Sequence, residues 1–292
     1  MRMPLFLTMI YDELIRPMLR NRKSLIGLSG LAVFVLVAVL GPCFIPLELK
    51  TDFSRRFLPP SLRHPLGTDY FGNDIFQQIV HGAPVTLSLA AAIALFATMI
   101  AAIVGVASGY VGGVVGRLLD ALTNLFLVIP SFPAMLVIFV MLGETHWLVA
   151  SALMAIWMWA GSARNIKSAV YSVRSMAFVE AAEGLNLGSF HIVIKEIMPH
   201  VVPYVFASFV STFRGAIEAS IGLMFLGVLK YNPLHWGVML NLAIFQTGAI
   251  YVPHALHYPL SVITFVALLL LFTTLLSYGV EEAFRPELRG YE

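Results

Sequence analysis

Residues 180–199 read E-A-A-E-G-L-N-L-G-S-F-H-I-V-I-K-E-I-M-P and form a charged insert between two long apolar runs. The whole chain of 292 residues is 59% hydrophobic and only 12% charged. Because soluble domains carry about 25% charged residues, this composition indicates an integral membrane protein. The insert must then lie outside the lipid, and the apolar runs that flank it are predicted to cross the bilayer.

The apolar runs predict an all-α membrane protein with six transmembrane helices, since about 20 apolar residues cross a bilayer core. A first helix is followed by an extracytoplasmic segment and then by a core of five helices. Proline residues Pro130 and Pro133 are predicted to kink the third helix. The predicted parts are a cytoplasmic segment 1–23, a first helix 24–46, an extracytoplasmic segment 47–84, a core 85–284 containing the polar loop 164–199, and a tail 285–292. The five core spans are predicted near 85–109, 118–142, 147–163, 200–229 and 258–280.

The positions of lysine and arginine predict which side each loop faces, because these residues favour the cytoplasmic side. With six spans both termini share one side with the 164–199 loop. That side holds twelve such residues, the other side holds five, and Arg214 lies within a span. Both termini and the loop are therefore predicted to be cytoplasmic, in a multi-pass protein of the cell (inner) membrane. The twelve are Arg2, Arg16, Arg20, Arg22, Lys23, Arg117, Arg164, Lys167, Arg174, Lys195, Arg285 and Arg289, and the five are Lys50, Arg55, Arg56, Arg63 and Lys230.

Charge and cysteine content exclude several classes of function. The net charge is only +2, which argues against a nucleic-acid partner. Cys43 is the only cysteine, so the chain forms no intrachain disulfide framework and no Cys-x-x-Cys metal site. No metal site is predicted from histidines either, because His235, His254 and His257 lack ligand spacing on one predicted element. Asp69 is interpreted as the cap of a helix that opens near residue 70.

The charged insert has the pattern of a rigid cross-piece made of two short helical pieces. Alanines favour a helix over 180–183, and acidic residues near its start suit the helix dipole. Phe190, Ile194 and Ile197 follow the helical spacing i, i+4, i+7, which predicts one apolar face over 190–198. Pro199 marks the start of the next membrane helix. An ordinary solvated loop is the alternative interpretation.

The insert resembles the EAA loop of ABC importer permeases, the cytoplasmic segment gripped by the ATPase subunits. In that motif, E-A-A is followed by three residues, a glycine, a spacer of nine residues and a short final stretch that ends in proline. The chain departs at the motif glycine, where it has Asn186, the type of residue best able to adopt the left-handed conformation after glycine. Either Asn186 or a shifted Gly184 or Gly188 makes the turn. The coupling residues that the resemblance implies are Glu180, Ala181, Ala182, Glu183, Gly184, Asn186, Gly188 and Pro199.

Further motifs extend the resemblance to about residues 20–290 and to the dipeptide/oligopeptide (peptide/nickel) branch, most closely to its C-type permease. They are H-P-L-G-T-D at 64–69 with G-N-D at 72–74, G-Y-V-G-G at 109–113 with Asp120, I-P-S at 129–131 with Pro133, F-L-G at 225–227, N-P at 232–233 and W-G at 236–237. The resemblance implies the type I importer fold, in which an N-terminal helix packs on the partner permease.

The same resemblance implies the function and the partners. The chain would be the permease subunit of a binding-protein-dependent importer of peptides, forming half of the translocation pathway. Its partners would be a second permease, two ATPase subunits that bind ATP and Mg²⁺, an extracytoplasmic binding protein and membrane lipid. The chain itself would bind no cofactor and would not be an enzyme. Relatives import oligosaccharides such as β-glucosides (for example cellobiose) or nickel chelates, and these substrates remain alternatives.

Two charged residues fall inside the fifth predicted span. Arg214 and Glu218 are four residues apart and so share one helix face. Burying either of them alone in lipid costs roughly 2.5–3.5 kcal/mol, so they must face each other, a partner helix or a wet cavity. They either line the translocation path, together with Ser211, or form a structural ion pair. Hydroxyl residues on this span, such as Ser208, Thr212 and Ser220, commonly bond back to their own helix.

Two other functions fit an apolar chain of this length. An intramembrane serine protease is suggested by G-L-S-G at 27–30, but no histidine base lies well inside a firmly predicted span, and small residues at a helix contact explain the motif better. A secondary transporter or channel acting alone is the other, but the paired inverted halves typical of many transporters are not found. Stimulation of ATP hydrolysis in a reconstituted complex separates these functions from that of an importer subunit.

Overall fold

The computed structural model describes residues 16–229 and 231–284, and the regular structure of this part of the chain is helical, with no β-strand. Its longer helices are numbered in chain order. They are α1 Arg16–Arg20, α2 Arg22–Phe44, α3 Ile75–Val111, α4 Gly113–Val128, α5 Ser131–Leu142, α6 Trp147–Met158, α7 Ala160–Arg174, α8 Ala177–Gly184, α9 Ser189–Phe225, α10 Trp236–Gln246 and α11 His257–Phe284. Single 3-10 turns lie at Phe53–Arg55, Ala249–Tyr251 and Pro253–Ala255.

Within the described residues, α2, α3, α9 and α11 are long and apolar enough to cross a membrane. The bent pair α4 and α5 makes a fifth candidate span. The predicted fourth span falls on α6, which has 12 residues, and a 12-residue helix is only about 18 Å long. The all-α class is therefore confirmed. Helix length and composition give at most five candidate spans in the described residues, one fewer than the six predicted.

The predicted kink in the third span is a break between two helices that meet at 78°. Ile129, the residue before Pro130, has an extended backbone, because proline disfavours the helical conformation in the residue that precedes it. Pro133 lies in the first turn of α5, where a missing N–H costs no hydrogen bond. One proline thus makes the break, and the second one is accommodated without a further bend.

The helix α3 is the central helix of the bundle and starts ten residues before the predicted span. Its 37 residues make a rod of about 55 Å, longer than a bilayer core of about 30 Å. Asp74 caps it by accepting the Gln77 N–H at 3.0 Å. The cap predicted at Asp69 is therefore wrong: its carboxylate accepts the N–H groups of Phe71 and Asn73 in the turn before the helix.

We call residues 52–74, which precede α3, the cap segment. Asp69 is only 3% exposed and also accepts a hydrogen bond from Gln78 at 2.9 Å. The ring of His64 lies 2.8 Å from the carboxylate of Asp74. The cap segment is held to the start of α11 by a contact between His257 Nε2 and the Thr68 carbonyl, at 3.2 Å. This end of the bundle is the cap end.

The helices α2 and α11 touch backbone to backbone. A Cβ atom added to Gly27 would lie 2.3 Å from the Leu276 nitrogen, and one added to Gly279 would lie 2.3 Å from the Ser24 nitrogen. Between the glycines of the G-L-S-G stretch, Ser29 donates its hydroxyl hydrogen to the Ile26 carbonyl of its own helix. The stretch therefore makes a close helix contact, as small residues do in membranes.

Buried side chains form two main clusters along the bundle. At the cap end, α3 packs against α6, α9, α10 and α11 around Ile79, Phe139 and Trp236. At the opposite end, called the loop end, α3 and α7 pack against α8 and the start of α9. The close approach of α3 and α7 requires small residues, because a Cβ on Gly105 would lie 2.8 Å from the Ala163 carbonyl. The polar loop is thus built into the second cluster.

Candidate coupling segment and translocation groove

The predicted coupling residues fall on the short helix α8 and on the turn that follows it. We call residues 177–191 the cross-bar. Within α8, Val179 and Ala182 are buried, at 0% and 6% exposure. Glu180, Ala181, Glu183 and Gly184 are exposed. The E-A-A motif therefore places one small side chain inward and presents its acid and its first alanine to the surroundings.

Asn186 makes the turn that ends α8. Its φ of +56° is left-handed, whereas Gly184 is helical and Gly188 has a φ of −58°. The Leu187 N–H donates to Ala182 O at 3.2 Å, and the Asn186 N–H donates to Glu183 O at 2.9 Å. These two bonds form a Schellman cap, in which a left-handed residue satisfies the last helix carbonyls. Of the three alternatives left open by the sequence, the structure selects Asn186.

The predicted apolar face over 190–198 is wrong. Phe190 and Ile194 are 82% and 49% exposed, and the buried pair is Ile192 with Ile197. The reason is that the chain is π-helical over Ile192–Ile197. In a π-helix the hydrogen bonds run from i to i+5, so residues five apart come to lie on one face. Pro199 lies in the first turn of the α-helical part of α9, Met198–Phe225, which agrees with the prediction, and the helical chain continues upstream of it through the π-helical stretch.

Arg174, at the end of α7, ties the cross-bar to α3. Its guanidinium donates to the Tyr110 carbonyl and lies 5.1 Å from the centre of the Tyr110 ring. Its Nε also lies 3.8 Å from a Glu183 carboxylate oxygen. One side chain thus contacts the last turn of α3 and the last turn of α8. Nothing in the local sequence of Arg174 indicates these distant partners.

Polar contacts also join α7 to α4. Lys167 pairs with Asp120 at 2.5 Å, and Arg164 donates to the Asn124 side chain at 2.6 Å. Asp120 belongs to one of the motifs of the resemblance, and its role in the structure is this ion pair. The helix α7 contacts α3, α4, α8 and α9, so it joins the cross-bar to the centre of the bundle.

A large groove of about 1070 Å³ lies between α7 and α9. Hydroxyl side chains line much of it, including Ser211, one of the predicted path residues, and the Ser162–Thr212 pair, whose oxygens are 3.0 Å apart. Ser220 does not contribute, because it donates to the Ile217 carbonyl of its own helix. Further lining residues include Trp157, Arg164, Asn165, Ser168, Tyr204, Ser208 and Glu281.

Arg214 and Glu218 form an ion pair on α9, with 3.8 Å between Nε and Oε1. Their side chains are 30% and 49% exposed. Gly215 lines the groove, but neither Arg214 nor Glu218 does. The structure therefore does not bring this pair together with Ser211 in the groove. Because 3.8 Å is too long for a hydrogen bond, the Nε of Arg214 makes no hydrogen bond within the described residues. A role of the pair in the path therefore stays a prediction.

The histidines weighed as metal ligands have other contacts. His235 accepts the Gly237 N–H at 3.1 Å, and His257 lies against two backbone carbonyls, those of His254 and Thr68. In the part of the chain that the structure describes, no group of three or more His, Cys, Asp or Glu residues is arranged to hold a metal ion.

Comparison with known proteins agrees with the resemblance seen in the sequence. Residues 97–290 match the family described as binding-protein-dependent transport system inner membrane component. The chain is 27% identical over 278 residues to the dipeptide transport system permease protein of Bacillus subtilis, covering 94% of this chain and 85% of that protein.

Two further relatives are similar. The oligopeptide transport system permease protein of Mycobacterium tuberculosis is 28% identical over 94% of both chains. The dipeptide transport system permease protein of Alkalihalophilus pseudofirmus is 30% identical over 79% of this chain and 76% of its own length. The family match covers about two thirds of the chain, from the middle of α3 through α11. The chain therefore belongs to the family of binding-protein-dependent transport system inner membrane components.

Proposed function

We propose that the chain is the permease subunit of an ATP-driven, binding-protein-dependent importer of peptides. It forms half of the translocation pathway, and a second permease forms the other half. The observation that carries this proposal is the cross-bar, which is exposed on one side and packed into the core of the bundle on the other. The peptide substrate is supported by the relatives, which are named for dipeptide and oligopeptide transport. Their names favour peptides over oligosaccharides or nickel chelates.

The exposed side of the cross-bar is suited to a protein partner. Leu185 and Phe190 are 75% and 82% exposed, and Glu180 of α8 is also exposed. Apolar side chains held on a rigid turn gain free energy when a partner removes them from water. The partner we propose is a cytoplasmic ATPase subunit, with one such subunit bound to each permease. ATP and Mg²⁺ bind to these subunits, and the chain itself holds no cofactor.

The connection from the cross-bar to the groove is short and rigid. The chain is helical from Ser189 to Phe225, with the π-helical stretch near its start, so a push at Phe190 moves the groove wall at Ser211, about 32 Å along the same helix. The second connection is through Val179 and Ala182, which pack in one buried cluster with Ile166 of α7. Closure of the ATPase pair would therefore move α7 and α9, the two walls of the groove, together.

The groove is the part of the pathway that we assign to this chain. Its serine, threonine and asparagine side chains can donate and accept hydrogen bonds, which suits the amide groups of a peptide backbone without selecting its side chains. Arg214 and Glu218 lie on the same helix but outside the groove. We place them against the second permease, because lipid exposure of either charge is costly. The loop end is cytoplasmic in this arrangement, with both termini.

Two substitutions on the cross-bar test the proposal. A Cβ at Gly184 meets no atom within 4 Å, so Gly184→Trp adds bulk to the docking surface and leaves the fold intact. Glu180→Lys reverses an exposed charge. Both variants should insert in the membrane at normal levels, lose most peptide uptake, and co-purify poorly with the ATPase subunits. Leu62→Trp, at a fully exposed position of the cap segment, is the matched control. Normal uptake by both cross-bar variants would contradict the proposal.

A further inference from the structure

A second polar cavity lies at the cap end, far from the cross-bar. Its volume is about 550 Å³, it is open to the surroundings, and it is bounded by the α5–α6 turn, the segment that follows α9 and the helix α10. Gly227, Asn232 and Pro233 of the F-L-G and N-P motifs line it. These motifs do not contribute to the coupling segment or to the groove. Residues from both motifs line this one cavity.

The wall of this cavity is fixed in place by the neighbouring W-G motif. Trp236 donates its backbone N–H to the Thr86 hydroxyl at 3.2 Å and its indole N–H to the Ile79 carbonyl at 3.1 Å. A Cβ on Gly82 would lie 2.2 Å from the Leu234 carbonyl, so the segment is pressed directly onto α3. The cavity is therefore preformed, which lowers the ordering cost of binding a ligand.

Hydrogen-bond acceptors are the free polar groups on this wall. The Asn241 side chain donates to the Phe225 carbonyl at 2.7 Å, and its own oxygen accepts from Gln246 at 2.7 Å. The Gln246 side-chain oxygen accepts no hydrogen bond from the described residues. The carboxylate of Glu144, another lining residue, forms no ion pair with any residue that the structure describes. A carboxylate and an amide oxygen thus remain available to a donor.

The charge on the described part of the cavity wall favours a cation. Glu144 carries the one formal charge among the described lining residues, which include neither lysine nor arginine. Burial raises the pKa of Tyr231, so the phenol at the rim stays neutral at physiological pH. A peptide carries a primary ammonium group at its N-terminus, with a pKa of about 8, and that group needs acceptors of this kind.

We propose that this cavity receives the N-terminal ammonium group of a peptide at the extracytoplasmic mouth of the pathway. Glu144 is the charged partner of the ammonium group, and Gln246 orients it. The proposal rests on the proposed function, from which the orientation and the peptide substrate are taken. An exposed carboxylate binds weakly, which suits a site that must release its ligand into the groove. Glu144→Gln should therefore raise the KM for peptide about threefold, the size of an exposed ion pair.

The test uses the complete transporter, with its second permease, ATPase subunits and binding protein, in proteoliposomes. Uptake of a tripeptide and hydrolysis of ATP are measured together. Glu144→Gln and Gln246→Leu should each lower the number of peptides moved per ATP, and Glu144→Asp should restore most of it. Glu48→Gln removes another exposed carboxylate of the cap end, outside the cavity, and should match the unsubstituted protein.

A photoreactive peptide locates the contact directly. A tripeptide with benzoylphenylalanine as its first residue should label 144–146 or 246 in the vanadate-arrested complex, and one with the probe last should not. If the unsubstituted transporter moves no peptide, the proposed function itself fails. If it moves peptide and Glu144→Gln moves it equally well, only the ammonium site fails.

Two other outcomes overturn the site. If the tripeptide with the probe at its last residue labels 144–146 or 246 and the one with the probe first does not, the cavity receives the carboxylate end of the peptide. If Glu144→Gln abolishes stimulation of ATP hydrolysis by the binding protein, the cavity is a docking point for that protein.

Discussion

The cap segment and the cross-bar are both rigid, but they are rigid for different reasons. In the cap segment, buried polar groups bind one another: Asp69 alone accepts three close hydrogen bonds, from Phe71, Asn73 and Gln78. In the cross-bar, apolar side chains such as Val179 and Ile192 are buried against the bundle. The polar groups of the cap segment therefore bind one another within its own fold, whereas the cross-bar leaves Glu180 and several apolar side chains exposed.

This difference suggests a division of labour. A turn held by internal hydrogen bonds keeps its shape on its own. A helix held by its buried face can be gripped from its exposed face, and the grip reaches the core through the same side chains. Substitutions at the two ends should accordingly separate stability from coupling, and four variants test that separation.

Asp69→Ala should have the largest effect. It leaves several buried N–H donors without an acceptor, and a hydrogen bond to a charged group contributes about 1.5–3 kcal/mol, so the loss should be on the order of 4 kcal/mol. The thermal midpoint of the purified protein should fall, and the cap segment should become sensitive to protease. The folded fraction should still co-purify with the ATPase subunits. Loss of the ATPase subunits from folded protein would contradict the division of labour.

Ile197→Ala removes a fully buried side chain beneath the cross-bar. Truncation of a buried isoleucine costs about 2–5 kcal/mol, and we expect about 3 kcal/mol here. Unlike the cap variant, this one should lower both the thermal midpoint and the ATPase response to the binding protein, because the cross-bar loses its support. Ile194→Ala, at a half-exposed position in the same turn, is the control. An equal loss in both variants would show that burial is not the cause.

Asn186→Val should keep most of the thermal stability of the protein but lose most of the coupling between ATP hydrolysis and peptide uptake. A β-branched residue in the left-handed conformation costs about 1–2 kcal/mol, which the turn avoids by changing shape. Asn186→Gly keeps the conformation and should behave as the unsubstituted protein. Peptide uptake and ATP hydrolysis measured together distinguish the two variants. Coupled transport by Asn186→Val would show that the turn geometry is unimportant.

Arg174→Gln should have the smallest effect, because the guanidinium is partly exposed and its contacts are worth about 1 kcal/mol together. The expected result is a two- to threefold lower transport rate with an unchanged thermal midpoint. Arg174→Lys keeps the charge but loses the fork that reaches Tyr110 and Glu183 together, so it should not restore the rate. Full activity of both variants would remove this residue from the coupling path.

Much of the architecture could be predicted from the sequence, because apolar runs in a membrane protein are long and cleanly bounded. The break at Pro130 and the helix over 180–183 follow from local rules. The start of α3 could not be predicted, since Gly82 and Pro84 indicate a boundary locally, yet contacts of Gly82 with the segment at Leu234 keep the helix intact. Tertiary packing overrides the local signal there.

The candidate site was predicted less completely. The resemblance to the EAA loop indicated the position of the cross-bar, and the residue type of Asn186 indicated that it could turn the chain. The π-helical stretch was not, because an α-helical period was assumed and the buried pair Ile192 and Ile197 falls outside it. Arg174 and the cavity at Glu144 depend on residues distant in the chain, and a single sequence gives no signal for such contacts.

The central claim is that the cross-bar docks on an ATPase subunit at the cytoplasmic face. Single cysteines introduced by Phe190→Cys and Leu62→Cys, in a Cys43→Ser background, compare two highly exposed positions at opposite ends. With a short thiol cross-linker in membranes that contain the whole transporter, residue 190 should join to an ATPase subunit and residue 62 should not. A cross-link to the ATPase from residue 62, or labelling of residue 190 by an impermeant reagent added outside intact cells, would contradict the account.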